Sequence, residues 1–264
     1  MKNDWPGSID ANGMGFFSAI RDSPYGILFS SPMVRAILNG SKTQTRRLVK
    51  HSKQFKGSPS VAYDVLMSED GSGAHFLVAG DHGFTDLVPC PYGVKGERLY
   101  VKETAIIAPK RFAATPDDTC INDADGDPRY IQYIASQPDT EAAEWYKLKK
   151  TPSIFMPRWA SRITLEITEV RVERLNDISE EDAVAEGVFR FTGPGREVEC
   201  LDGRTFFYDP ETRAGCCEYR SLWESINGPK SWDLNSWVWC IAFKRLNPPT
   251  DVTNQNQSRL AREL

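Results

Sequence analysis

The stretch "SRITLEITEVRVERL", residues 161–175, reads as a β-strand with a slip in it. Ile163, Leu165 and Ile167 alternate with polar neighbours at period two, and Val170 and Val172 continue one residue out of phase. A bulge near Thr168–Glu169 accounts for the slip, and bulged, curved strands are what small barrels are made of. Three other stretches read as strands that belong with it. "GILF" opens one over 27–30, "GERLYVKE" gives one over 98–104, and "SWVWCIAFKRL" gives the last over 237–245, with Trp237, Trp239, Ile241 and Phe243 on one side. The pattern predicts an α+β class: one small mixed β-barrel with short helices and long loop insertions.

Short helices fill the gaps. Over 32–39, Ser31 is a natural N-cap, Pro32 suits the first turn, Met33, Ala36 and Ile37 share a face, and Gly40 fits just past the end. "DISEEDAVAEGV" predicts a second helix over 180–186, capped by Ser179, with acids in its first turn, Glu186 in its last and Gly187 ending it. A third, around "CEYRSLWESIN", puts Tyr219, Leu222, Trp223 and Ile226 on one face and stops at Gly228–Pro229. The expected organisation is a loose arm over 1–25, a single domain over 26–247 and a frayed tail over 248–264. The insertions fall at about 51–89, 108–154 and 189–216, and the second has a helical end, "DTEAAEWYKLKK".

Charge is unevenly spread. The chain of 264 residues carries a net charge of −4, yet Ser23 through Tyr63 contains no Asp or Glu. That segment holds seven cations: Arg35, Lys42, Arg46, Arg47, Lys50, Lys53 and Lys56. Clustered charge acts over about one Debye length, ~8–10 Å, so the segment is either a local anion site or a solvated basic face. Its centre, "NGSKTQTRRL" at 39–48, begins where the first helix ends.

Several classes are disfavoured. No stretch approaches ~18 consecutive apolar residues and the start lacks a signal-peptide run, so no membrane partner is expected and the location expected is cytoplasmic. The six cysteines show no C-x-x-C, and His51, His75 and His82 share no ligand spacing with them, so neither a metal nor another cofactor is implied. The same histidines sit in a Gly/Ser-rich stretch unsuited to a Ser-His-Asp or Cys-His mechanism. "DADGDPRY" imitates a calcium loop but places its glycine too early and Ile134 where the bidentate acid belongs. Glu103 falls on the inward face with Leu99 and Val101, where a carboxylate needs cations or donors, unless it ends the strand in solvent.

The order "G-x-K-T-x-T-R-R", "G-E-R-L-Y-V-K-E", "S-E-E-D-A-x-x-E-G-V", "W-V-W-x-I-x-F" resembles the ASCH domain family of the PUA-like superfold, and within it the longer phage and prophage members. The resemblance covers roughly 27–50, 90–107, 155–188 and 217–246. It implies a curved β-barrel whose cleft receives RNA, DNA or a modified pyrimidine nucleoside. One branch, the bacterial N(4)-acetylcytidine amidohydrolases, is similar in its "K-T-x-T" lysine and threonine and its helix glutamate. The resemblance carries those roles to Lys42, Thr45 as nucleophile, and Glu186. This chain differs in its length and in the two arginines after Thr45.

Elementary chemistry is consistent with that set. A threonine attacks an amide only after a base takes its proton, and with histidine unsuited the base is a lysine of lowered pKa. Burial and the nearby Arg46 or Arg47 push Lys42 that way, while Glu186 orients its ammonium or protonates the leaving amine. Lys42 is expected within hydrogen-bonding reach of Glu186 or Glu103. Candidate ligand contacts are Thr43, Arg46, Arg47, Glu103, Trp159 (a stacking platform or core) and Arg162. The alternative readings are a non-catalytic reader of RNA or modified DNA, with Lys42 and Arg46 as phosphate contacts, and a phage interaction module without ligand.

Overall fold

A computed structural model describes residues 25–49, 62–69, 71–78, 87–109, 120–136, 147–191, 196–201, 204–209 and 213–246. Apart from Tyr25, the predicted arm lies outside the described residues, and so does the tail. From the N-terminus the elements are β1 (Tyr25–Leu28), α1 (Ser31–Leu38), β2 (Gln44–Leu48), β3 (Ala62–Met67), β4 (Gly73–Val78) and β5 (Val88–Pro89). Next come β6 (Arg98–Lys102), β7 (Ala105–Pro109), β8 (Cys120–Asn122), β9 (Pro128–Tyr133) and β10 (Lys150–Thr151). The C-terminal half supplies β11 (Thr164–Arg174), α2 (Glu180–Ala185), β12 (Phe189–Phe191), β13 (Glu197–Cys200), β14 (Thr205–Phe207), α3 (Ala214–Asn227) and β15 (Trp237–Leu246).

The main sheet runs β1-β6-β11-β15-β2, with only the β1–β6 pair parallel. All four predicted strands therefore share one sheet. The bulge is present: Ile167 opposes Phe243, then Glu169 opposes Ala242. Shifting the register by one residue is what lets Ile163, Leu165, Ile167, Val170 and Val172 all join one core despite their change of phase. Trp237, Trp239, Ile241 and Phe243 fill that same core, whereas Val238 and Cys240 point the other way into a second core under α2 and α3. The architecture is mixed α+β, mostly strands with few short helices; no closed barrel is found among the described residues.

The insertions are not plain loops. Their described parts, together with β7, form antiparallel sheets β3-β4-β5, β10-β7-β9-β8 and β12-β13-β14. In β9, Tyr130 to Tyr133 are buried, on both faces, so the strand carries no alternation to read from the sequence. The calcium-like loop is the β8–β9 turn. There the Asp123 carboxylate accepts from the Asp125 and Asp127 amides at 3.0 and 2.9 Å and from Arg129 Nε at 2.7 Å, so a guanidinium stands where a cation would. The helical end expected over 139–150 lies largely outside the described residues, and Lys150 itself is in a strand.

Helix α1 is capped by Ser30, not Ser31, without a side-chain bond, because the chain turns one residue earlier than Pro32 suggests. Gly40 at φ +83° ends it as expected. Ser179 caps α2 by accepting from the Asp182 amide, and Glu186 is its C-cap. Glu180 then reaches across to α3, accepting from the amides of Gly215 at 2.6 Å and Cys216 at 3.1 Å. A carboxylate there satisfies two orphan donors and complements the helix dipole. Glu180→Ala is expected to destabilise the protein by about 1–2 kcal/mol, read as a lower urea midpoint at unchanged slope.

Candidate functional site

β2 is an edge strand, so both of its faces can border one cavity. It does border one: a space of ≈ 210 Å³ lined on the β2 side by Thr45, Arg46, Arg47 and Leu48 and by Glu186. The α3 wall contributes Tyr219, Leu222, Trp223, Ile226 and Asn227, and Tyr92 and Met33 complete it. The helical face read from sequence as apolar is thus in part the wall of a cavity.

Glu186 belongs to the expected pair. Lys42 and Glu186, 144 residues apart, face each other as an antiparallel bridge. Lys42 Nζ donates to Glu186 Oε2 at 2.8 Å and to its carbonyl at 2.7 Å. Both side chains are almost wholly buried. Backbone bonds fix the approach: Lys42 N–H to Ala36 O at 3.0 Å and Thr43 N–H to Ala185 O at 2.8 Å. Gly187, at φ +73°, passes so close that a Cβ there would lie 2.7 Å from that of Lys42. Only glycine fits. Burial pushes the Lys42 amine below its ordinary pKa, outweighing the pull of Glu186, and Arg47 and Arg46 add in the same direction.

Arg46 is also buried, on the face covered by α2 and α3. It donates to Glu173, to Asp182 at 2.8 Å and, at 3.5 Å, to Glu186. Arg171 joins Asp182 at 2.6 Å and Glu173 at 3.2 Å. Burial opposes ionisation of Asp182, but the bonds from Arg46 and Arg171 prevail and hold its carboxyl below the usual range. Lys42, Arg46 and Arg171 therefore balance Glu173, Asp182 and Glu186. Lys42 and Arg46 are therefore enclosed and not members of a solvated basic face.

Arg47 differs. It donates to Leu28 O at 2.6 Å and lies 5.2 Å from the Phe29 ring centre, yet among the described residues it has no carboxylate partner and its Nε is buried without an acceptor. Trp223, 5% exposed, also has an indole N–H with no acceptor. Thr45, on the opposite face of β2 from Arg46, is 3% exposed and borders the same space as Glu186. Lys50, and with it Lys53 and Lys56, lies outside the described residues.

The remaining candidates are elsewhere. Glu103, 1% exposed, is held by Arg162 through two bonds of 2.8 and 3.0 Å, and Arg162 stacks 4.1 Å from the Tyr133 ring centre. Trp159 packs beside that pair against a small core of Ala105, Ile131 and Met156. Glu103 is thus buried and paired, not ending its strand in solvent, but neither it, Arg162 nor Trp159 borders the Thr45 cavity. Thr43 is exposed and serves the site through its backbone. Sequence reasoning missed Arg171, Glu173 and Asp182. The signal available was a strand, β11, with two charged residues on a face that helices must cover.

No His, Cys, Asp or Glu cluster suited to a metal occurs among the described residues. No helix among them is long and apolar enough to cross a membrane. No protein-family model matches the chain, and neither does any curated protein or solved structure.

Proposed function

We propose that this chain is a PUA-like domain of ASCH type that binds a modified pyrimidine nucleoside, free or within nucleic acid, and hydrolyses an N-acyl amide on its cytosine ring. The observation that carries the reading is the buried Lys42–Glu186 pair, whose glutamate borders the same cavity as Thr45. Burial disfavours the ammonium, so in this reading Lys42 takes the hydroxyl proton and, oriented by Glu186, passes it through that carboxylate to the leaving amine. The Thr45 oxygen attacks the acyl carbon, the C–N bond breaks, and the cytosine leaves with that proton. Water then releases the acid from the threonine ester.

A second reading has its own support. Lys42 does not border the cavity; it sits behind Glu186, with two of its donors already engaged. A paired, enclosed lysine suits a structural tie, leaving the cavity to bind without chemistry. Incubation with a panel of N-acylated cytosine nucleosides, followed by chromatography, separates the two. Stoichiometric release of acid and cytidine is expected, and no release from any member, at protein concentrations that saturate binding, leaves only the reader.

A further inference from the structure

The cavity and its unused donors narrow the ligand. It measures ≈ 210 Å³, smaller than the ~300–1,000 Å³ of sites that enclose drug-sized molecules. Three aromatic residues border it, Tyr92, Tyr219 and Trp223, which suits a flat ring. Three buried donors of its lining residues, Arg46 Nε, Arg47 Nε and Trp223 Nε1, have no acceptor; the Arg46 guanidinium is already held through its other nitrogens by Glu173, Asp182 and Glu186, which leaves Arg47 and Trp223. A buried donor left unpaired loses its hydration with no compensating bond, so a ligand that supplies acceptors recovers that cost on binding. Arg47 also brings a positive charge that no carboxylate among the described residues balances.

We infer that Trp223 and Arg47 are the recognition donors of this cavity, and that its ligand is a single carbonyl-bearing pyrimidine ring, not a run of polynucleotide. The inference rests on the functional reading above and sharpens it. Thr45 and Glu186 both line the cavity, and the acyl group must lie against Thr45 for attack. Trp223, on the separate wall made by α3, then takes the ring carbonyl at the far edge of the base. A nucleotide within a strand reaches this space only when swung out of its stack.

The test uses the full chain with N(4)-acetylcytidine as probe and, beside it, an analogue whose ring carbonyl is replaced by C–H. Trp223→Phe keeps an aromatic ring and removes the donor. Wild type is expected to bind the probe about tenfold more tightly than Trp223→Phe, and to lose a similar factor towards the analogue. Trp223→Phe should bind probe and analogue alike. A second measurement does not depend on the variant's affinity. The chain has seven tryptophans, and the indole N–H resonance missing from Trp223→Phe should shift downfield when wild type is titrated with the probe.

Binding that leaves this resonance and the Trp223→Phe affinity unchanged overturns the inference and leaves the functional reading standing. Binding with the expected Trp223 signature but no hydrolysis keeps the inference and removes the catalysis. Failure of the nucleoside to bind at all overturns both. Preference for an unmodified single-stranded oligonucleotide, with a salt slope of several units, also overturns the single-ring ligand.

Discussion

Thr45→Ala is expected to lower turnover of an acylated cytidine by about 10³-fold or more, with affinity held within about twofold. The hydroxyl forms its bond to the acyl carbon only on the way to the transition state, so its loss appears in kcat and not in binding. Lys42→Arg should not retain activity, because a guanidinium does not give up its proton at working pH. Wild-type turnover should rise with pH through the lowered pKa of Lys42, at a pH below the ordinary 10.5, since the neutral amine is the base. Single-turnover acid release and calorimetric binding, measured on the same folded samples, decide the matter. Unchanged turnover in Thr45→Ala rules out that nucleophile.

Glu186→Ala should be the most destabilising single change in the site, by about 3–5 kcal/mol, because it removes the acceptor of one enclosed cation and loosens a second. Lys42 loses its side-chain acceptor, and Arg46 keeps Glu173 and Asp182. Glu181→Ala, at an exposed position on the same helix, should stay within about 0.5 kcal/mol. Urea titration of the pair of variants measures the difference. Equal midpoints would mean that the Lys42 ammonium is not held by Glu186, and the proposed base would lose its orienting partner.

How much of this could be read from the chain depends on what each residue announces. The bulge in β11 is visible because two runs of alternating apolar residues differ in phase, and phase is a direct consequence of the pleat. Lys42 meeting Glu186 followed from the resemblance together with charge: an acid-free segment and a short acidic helix have reason to meet. The Arg46–Arg171–Glu173–Asp182 network was not visible, since a strand shows which charged residues share a face but not which helix will cover it. The same limit hid the cavity. Periodicity placed Tyr219, Leu222, Trp223 and Ile226 on one stripe of α3 and said nothing of whether that stripe meets side chains or empty space. The sheets in the insertions escaped because strands as short as β8 and β10, or as evenly buried as β9, carry little pattern.

The place of β2 in the main sheet bears on when the site comes into being. Its partner in that sheet is β15, the last strand described, and Thr43 accepts from the Phe243 amide at 2.8 Å just before the strand begins. Closing a loop of some two hundred residues costs entropy that local contacts cannot offset. During synthesis from the N-terminus, the "KTQTRR" segment emerges well before β15 and must wait for it. A chain halted before Trp237 holds Lys42, Thr45 and all the acids, yet lacks the strand that pairs with β2 from Gln44 to Leu48. The ligand therefore cannot guide early folding; it can only select and stabilise the finished molecule.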